Sequence, residues 1–107
     1  MPTETVTLAM RHETIVREIL HAFVPGREVR VFGSRVRGSV KRYADLDLVV
    51  MGEDPLVSSV IAKLREAFEE SDLPFRVDIV EWAVLSEEFR AIVAASAVKF
   101  PAFHGMS

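Results

Sequence analysis

The stretch that decides the fold is Gly33-Ser34-Arg35-Val36-Arg37-Gly38, followed after six further residues by Asp45-Leu46-Asp47-Leu48. It connects two segments that have the pattern of β-strands. Residues 29–32 are a short β-prone run that ends at Gly33. Residues 45–51 alternate apolar side chains with the two aspartates, so this strand has one apolar face and one face with two carboxylates. A brief helix is expected to begin at Ser34 and to end by Gly38.

Three longer helices are predicted around these strands. Apolar residues recur at helical spacing over residues 8–23, and Pro25-Gly26 end that helix. A second helix is expected to begin with Asp54 as its N-cap and Pro55 at its first position. Ser86 is placed to cap a last helix, whose acidic first turn suits the positive end of the helix dipole.

Residues 76–81 form a third predicted strand, in which apolar and polar positions again alternate. The resulting order is α-β-(α)-β-α-β-α, which indicates an α/β (α+β) fold with a small mixed sheet covered by helices. The two longest of these three helices have enough apolar residues to cover one face of that sheet. With 107 residues and no repeat or linker, the chain is expected to be a single domain, residues 1–107.

Composition excludes several classes of protein. There are no cysteines, which excludes disulfides and zinc sites built from thiolates. No run approaches the roughly 20 apolar residues that a membrane helix needs. The N-terminus lacks the basic and apolar regions of a signal peptide. We therefore expect a cytoplasmic protein without a membrane partner.

Basic residues are concentrated in one segment, although the net charge of the chain is −3. Within sixteen residues that hold a single acid, the sequence has Arg27, Arg30, Arg35, Arg37, Lys41 and Arg42. A local basic segment in an acidic protein favours a small polyanion, such as a triphosphate, over general nucleic-acid binding. On charge alone, a solvated basic loop is an equal alternative. Arg35 and Arg37 are candidate phosphate ligands, because guanidinium groups match phosphate oxygens; otherwise they are exposed charges.

Three aspartates are candidate metal ligands. Asp45 and Asp47 lie two apart on one strand, so both side chains project from the same face and repel each other unless a cation lies between them. Carboxylate oxygens suit Mg²⁺, which takes the rest of its shell from waters and substrate phosphates. Asp78 interrupts an apolar strand. If that strand neighbours the second one, the three carboxylates could hold two metal ions and stabilise a displacement at phosphorus. The alternatives are solvated acids on an exposed face and, for Asp78, an acid on an edge strand.

Gly-Ser, ten residues and then Asp-x-Asp is a pattern that resembles the polymerase-β-type nucleotidyltransferase superfamily. The short length makes the chain most similar to the minimal nucleotidyltransferases, which are usually paired with a HEPN-domain protein. The resemblance implies that Gly33 and Ser34 bind the triphosphate, that Asp45 and Asp47 hold Mg²⁺, and that Asp78 is the third catalytic carboxylate. The family commonly has a serine before the first aspartate, where this chain has Ala44.

The resemblance implies an enzyme that transfers AMP from ATP to a hydroxyl group, with a HEPN-domain toxin as the acceptor and this chain as its antitoxin. An alternative is a nucleotide-binding antitoxin without catalysis, which neutralises its partner by contact. Retention of all three aspartates argues against that alternative. Adenylyltransferases of small molecules generally carry an additional helical domain, and a general DNA polymerase does not fit the size and acidity of the chain.

Overall fold

Among the described residues, the protein is a four-stranded mixed sheet with helices packed against it. The computed structural model describes residues 8–33 and 44–100. In chain order the elements are α1 (Met10–Phe23), β1 (Val29–Phe32), β2 (Leu46–Val50), α2 (Ser58–Glu69), β3 (Val77–Glu81), a 3₁₀ turn (Trp82–Val84), α3 (Glu87–Ser96) and β4 (Val98–Lys99). The predicted order is confirmed for α1 to α3. The brief helix expected from Ser34 lies outside the described residues.

The strands lie in the order β3-β2-β1-β4. β2 pairs antiparallel with β1 and parallel with β3, and β4 pairs antiparallel with the other side of β1. A parallel pair needs a long crossover connection, which α2 provides between β2 and β3. The mixed sheet predicted from the sequence is therefore confirmed.

The main core lies between one face of the sheet and helices α1 and α2. It contains the alternate residues of the strands that point to this face, together with the apolar stripes of the two helices. The fully buried members are Val16, Leu20, Val29, Val31, Leu46, Leu48, Val50, Leu64 and Phe100. Each large apolar side chain buried in this way contributes about 1.5–3 kcal/mol relative to exposure. The prediction that two helices cover one sheet face is confirmed.

Helix α3 packs on the opposite face of the sheet. Val49 of β2 and Val93 of α3 are fully buried but belong to no part of the main core cluster. The rings of Phe32 and Phe89 meet edge to face, with their centroids 5.8 Å apart. Ser86 is the N-cap of α3, as predicted, and its hydroxyl oxygen accepts a hydrogen bond of 3.1 Å from the Phe89 amide. The cap fixes where α3 begins and therefore where Phe89 meets the sheet.

The predicted start of the second helix at Asp54 is wrong, because the helix begins only at Ser58. Tertiary hydrogen bonds hold the preceding residues out of the helix. The Arg27 guanidinium donates to the carbonyl oxygen of Asp54 at 2.7 Å, and the Leu56 amide donates to the Glu81 carboxylate at 2.7 Å. These bonds to other parts of the chain outweigh the local preference for a capped helix.

Strand β4 was not predicted. Helix α3 ends at Ser96, and Val98 and Lys99 then pair with β1. The amide of the fully buried Phe100 donates to the Val29 carbonyl oxygen at 2.8 Å. A strand of two residues is too short to show alternation, so no periodic pattern predicts it. Among the helices in residues 8–33 and 44–100, none has the length and apolar character needed to cross a membrane.

Candidate active site

Asp47 and Asp78 lie side by side on neighbouring strands. The register of β2 and β3 pairs these two residues, and that of β1 and β2 pairs Phe32 with Asp47. Leu46 and Leu48 point into the main core, so Asp47, which lies between them, and its register partners Phe32 and Asp78 point to the other face, which α3 covers in part. Phe32, Asp47 and Asp78 thus form one row across three strands. The sequence left open whether the third strand neighbours the second, and the structure answers that it does.

Asp47 is the electrostatic centre of this row. Burial raises the pKa of its carboxyl group above the ordinary value of 3.8, the charges of Asp78 and Asp45 raise it further, and Arg76 lowers it. Asp45 immediately precedes β2 and is exposed. Its charge nevertheless reaches Asp47, so the three predicted carboxylates share one electrostatic environment. Asp47 is half-buried among like charges, an arrangement that favours a cation at this position.

Asp78 has a partner of opposite charge. Nη2 of Arg76 lies 3.3 Å from Oδ1 of Asp78, and both side chains are substantially exposed, by 73% and 44%. An ion pair this exposed contributes at most about 1 kcal/mol. Arg76 can therefore leave Asp78 at little cost when another group approaches the carboxylate.

Gly33 brings the end of β1 against the Asp47 carboxylate. Its φ angle is +83°, in the region that favours glycine. A Cβ atom at this position would lie 2.5 Å from Oδ2 of Asp47. The close approach requires a residue without a side chain, and it joins the glycine turn and the carboxylate row into one site. The predicted phosphate ligands Ser34, Arg35 and Arg37 lie outside the described residues.

A cleft of about 780 Å³ contains Asp47 and Asp78 in its lining. Phe32 and Phe89 form an aromatic wall of the cleft beside the carboxylates. Arg65, from α2, lines it near β3. Sequence reasoning missed Arg65 and Phe89 as site residues. Phe89 belongs to the apolar stripe of its helix, and that stripe alone gives no sign that its ring faces a cleft.

Two of the six basic residues in the predicted polyanion-binding segment have structural roles. The Arg27 guanidinium donates to the carbonyl oxygens of Met51 and Asp54, at 3.0 and 2.7 Å. Nε of Arg30 is 2.7 Å from a carboxylate oxygen of Glu28. Both guanidinium groups are thus bonded to other groups of the chain, and the binding of a polyanion by this segment stays a prediction. The other four basic residues lie outside the described part of the chain.

No three His, Cys, Asp or Glu side chains converge closely enough to hold a metal ion, as far as residues 8–33 and 44–100 are concerned. Asp47 and Asp78 share a face of the sheet, and Asp45 contributes its charge, without a closed set of ligands. A site of this kind is incomplete by itself and leaves coordination positions for water or a ligand. Mg²⁺ commonly binds proteins in this way, through one or two carboxylates and the phosphates of a substrate.

Carboxylates on adjacent strands beside a glycine turn are typical of enzymes that transfer phosphate-containing groups. Residues 12–101 match the nucleotidyltransferase domain family. The chain is 52% identical over 79 residues to the probable protein adenylyltransferase MntA of Haemophilus influenzae, a match that covers 74% of this chain and 69% of that protein. The chain belongs to the nucleotidyltransferase domain family, which confirms the predicted enzyme class.

Solved structures have the same fold. A toxin-antitoxin crystallised with AMP-PNP matches with a TM-score of 0.68 and 24% identity, over 82% of this chain and 71% of that chain. A mutant of the toxin-antitoxin MntA-HpeT matches with a TM-score of 0.67 and 21% identity, over 82% and 71% of the two chains. At these identities the likeness concerns the fold, and together with the family match it confirms the predicted nucleotidyltransferase fold, a small mixed sheet flanked by helices.

Proposed function

We propose that this protein is a Mg²⁺-dependent adenylyltransferase that transfers AMP from ATP to a hydroxyl group of a HEPN-domain toxin and so acts as its antitoxin in the cytoplasm. The observation that carries the proposal is the row of Asp47 and Asp78 against Gly33. The similarity to a probable protein adenylyltransferase supports the reaction. The fold shared with a chain of a toxin-antitoxin crystallised with AMP-PNP supports the nucleotide and a toxin-antitoxin role.

The donor set at the proposed site fits Mg²⁺. Asp47 has a raised pKa because it is half-buried and faces the charges of Asp78 and Asp45. A dication beside these oxygens would oppose both causes of the shift. We assign Asp45 and Asp47 as the principal ligands, with Asp78 able to complete a second metal site. When bound, Mg²⁺ neutralises charge between the carboxylates and the triphosphate.

The two reactants would bind at opposite ends of the row of Phe32, Asp47 and Asp78. Gly33 directly follows β1, and we assign its turn, together with Ser34 as the next residue in the sequence, to the triphosphate. Arg35 and Arg37 are close enough in sequence to contact the same phosphates. Asp78 lies on β3, one strand farther from β1 and its turn than Asp47, and is assigned to the acceptor.

As the oxygen of the acceptor hydroxyl attacks the α-phosphorus of ATP, Asp78 accepts the proton of that hydroxyl. The new bond joins that oxygen to the α-phosphorus, and the bond between the α-phosphorus and the bridging oxygen breaks. Pyrophosphate leaves with the electron pair, and Asp78 returns the proton to solvent. The products are an AMP ester of the acceptor and pyrophosphate.

Radiolabelled ATP tests the proposal directly. The chain is incubated with labelled ATP and Mg²⁺, with and without the product of the neighbouring gene, and the proteins are separated on a gel. We expect label on the partner with the wild type and with Asp54→Asn, whose aspartate is exposed and outside the site. Asp45→Asn and Asp47→Asn should give none. Neutralisation of the partner that survives both substitutions without label would favour an antitoxin that acts by contact alone.

Calorimetry provides a second measurement that does not depend on a partner. Asp45 and Asp47 repel a triphosphate as well as each other, so ATP binding should require Mg²⁺. Equal affinity in the presence of EDTA would contradict the assignment of the aspartates as metal ligands.

A further inference from the structure

Strand β3 has an open edge next to the carboxylate row. It is the terminal strand of the sheet in the described part of the chain. The Leu46 amide donates to the Arg76 carbonyl oxygen at 2.8 Å, which fixes the phase of the ladder between β2 and β3. In a parallel ladder, alternate residues direct their backbone groups to the same neighbour. Asp78 therefore bonds towards β2, while Val77 and Ile79 direct their amides and carbonyls to the open edge.

Arg65 confirms the direction of these backbone groups. Its Nη2 donates to the Ile79 carbonyl oxygen at 3.1 Å from the outer side of the strand. Arg65 is an exposed side chain of α2. Its guanidinium occupies the position that a backbone N–H of a further strand would take. The edge of β3 thus offers a hydrogen-bond acceptor to which a donor already binds.

The cleft reaches from the face of the sheet that carries Asp47 and Asp78, past the edge of β3, to the side of the main core. Four consecutive residues of β3, 77–80, line it. Successive residues of a strand point to opposite faces, so a cavity lined by all four must run along the strand's side. Residues 77–80 span about 13 Å of strand at the usual rise of about 3.3 Å per residue. Asp47 and Asp78 line the same cleft.

The two sides of the cleft differ in chemistry. On the side of the active site, Asp78 stands beside Asp47 and the aromatic wall of Phe32 and Phe89. On the side of the main core, the lining residues include Phe68, Leu73 and Phe75. A strand added to β3 would place alternate side chains on these two sides. One side chain would meet the carboxylates, and its neighbours before and after would meet an apolar surface.

We propose that the acceptor is an extended polypeptide segment that adds to the open edge of β3 and presents its hydroxyl residue abreast of Asp78, with apolar residues immediately before and after it. This inference rests on the proposed function, since it names the form in which that reaction's acceptor is bound. Main-chain hydrogen bonds to the backbone groups of Val77 and to the Ile79 amide hold the segment, while the Ile79 carbonyl oxygen keeps its bond from Arg65. The apolar side of the cleft selects the flanking residues. The hydroxyl residue of the added strand would lie next to Asp78, as the fourth member of the row that Phe32, Asp47 and Asp78 form.

Amide hydrogen exchange, followed by NMR, tests the pairing. In the isolated chain the outward amides of Val77 and Ile79 exchange quickly, whereas those of Asp78 and Val80 are protected by β2. With saturating partner and no nucleotide, we expect exchange at Val77 and Ile79 to slow by roughly tenfold or more, with no change at Asp78 and Val80. The two inward amides are the internal control.

Val77→Pro removes one outward amide, and proline is tolerated on an edge strand. We expect KM for the partner to rise by roughly five- to tenfold, the effect of losing one hydrogen bond, with kcat and ATP affinity unchanged. Val77→Ala truncates the side chain but keeps the amide, so the rise in KM of the proline variant is measured against this variant and not against the wild type. If the proline variant does not fold, the exchange experiment on the wild type decides.

The outcomes separate the two proposals. A partner that is labelled while Val77 and Ile79 exchange as before would overturn the edge pairing and leave the adenylyltransferase intact. Protection that appears in the isolated chain as its concentration rises would show pairing between two copies and overturn the proposal in favour of a dimer edge. If no partner is labelled at all, the proposed function fails, and the acceptor site fails with it.

Discussion

Replacing Gly33 with alanine should separate the conformational role of this residue from its role in the site. The φ angle of +83° is unfavourable for any residue with a Cβ atom, at a cost of about 1–2 kcal/mol. A domain of this size loses about 4–8 °C of Tm per kcal/mol, so Gly33→Ala should lower Tm by roughly 5–15 °C.

The new Cβ would also meet Asp47. It would lie 2.5 Å from Oδ2, closer than two such atoms can approach. Because that oxygen is the end of a side chain, the carboxylate can turn away, so the contact adds little to the loss of stability. Instead, the new Cβ atom displaces the Asp47 carboxylate, which is the proposed metal ligand. A displacement of about 1 Å at a catalytic group can reduce turnover by about 10²-fold, and we expect a loss of that size.

Gly26→Ala is the matched control, because nothing lies within 4 Å of a Cβ atom there and its φ angle is not positive. It should leave activity unchanged and keep or raise stability by about 0.4–1 kcal/mol. Urea unfolding in EDTA measures the two stabilities, and transfer of labelled AMP measures activity. If Gly33→Ala and Gly26→Ala are equal in both assays, neither the backbone argument nor the contact with Asp47 is correct.

Three further substitutions test the site and the helix that borders it. Asp47→Asn should stabilise the metal-free protein. The pKa of the Asp47 carboxyl group is higher in the folded state than in the unfolded state, so the free energy of unfolding of the wild type falls as pH rises from 3.8 through the raised value. The asparagine variant does not have this carboxyl group and does not lose this stability. Urea unfolding from about pH 4 to about pH 8 should show the gap between the two proteins widening. Asp78→Asn should reduce AMP transfer by about 10²-fold or more, with ATP affinity unchanged in calorimetry, because its proposed role is with the acceptor. Ser86→Ala should cost about 1 kcal/mol in thermal unfolding through loss of the cap on α3.

Each of these substitutions has a control and an outcome that would contradict it. A gap between wild type and Asp47→Asn that stays constant with pH would mean that the Asp47 carboxyl group does not titrate differently in the folded state. If Asp78→Asn transfers AMP at the wild-type rate, Asp78 has no catalytic role. Ser86→Thr keeps the hydroxyl, so a loss equal to that of Ser86→Ala would show that the cap is not the cause.

Local patterns were sufficient for the strands that carry the site. The alternation of aspartates with Leu46 and Leu48 predicted both the strand and its buried face, since burial of one face determines such a pattern by itself. The pairing of Asp47 with Asp78 could not be predicted in this way. It depends on a parallel crossover, and no property of either strand alone specifies its neighbour.

Tertiary contacts account for the predictions that failed. Asp54 and Pro55 have the composition of a helix start, but the hydrogen bonds from Arg27 and to Glu81 come from distant parts of the chain. The Arg27 guanidinium is engaged by two backbone carbonyls in this way, which its place in a basic segment does not indicate. Gly33 was predicted as a phosphate-binding turn from its type and place, yet its contact with Asp47 appears only when β1 and β2 are paired.

The pairing of β4 with β1 has a consequence for synthesis of the protein on the ribosome. Arg30 and Lys99 are partners, so β1 must wait for most of the chain to emerge before its second edge is covered. The row of Phe32, Asp47 and Asp78 needs only β1 to β3 and can form earlier. Until β4 arrives, the nascent chain exposes an open apolar strand, a state that is prone to aggregation. Arg30, in the middle of that strand, supplies the charge that discourages association with another nascent chain.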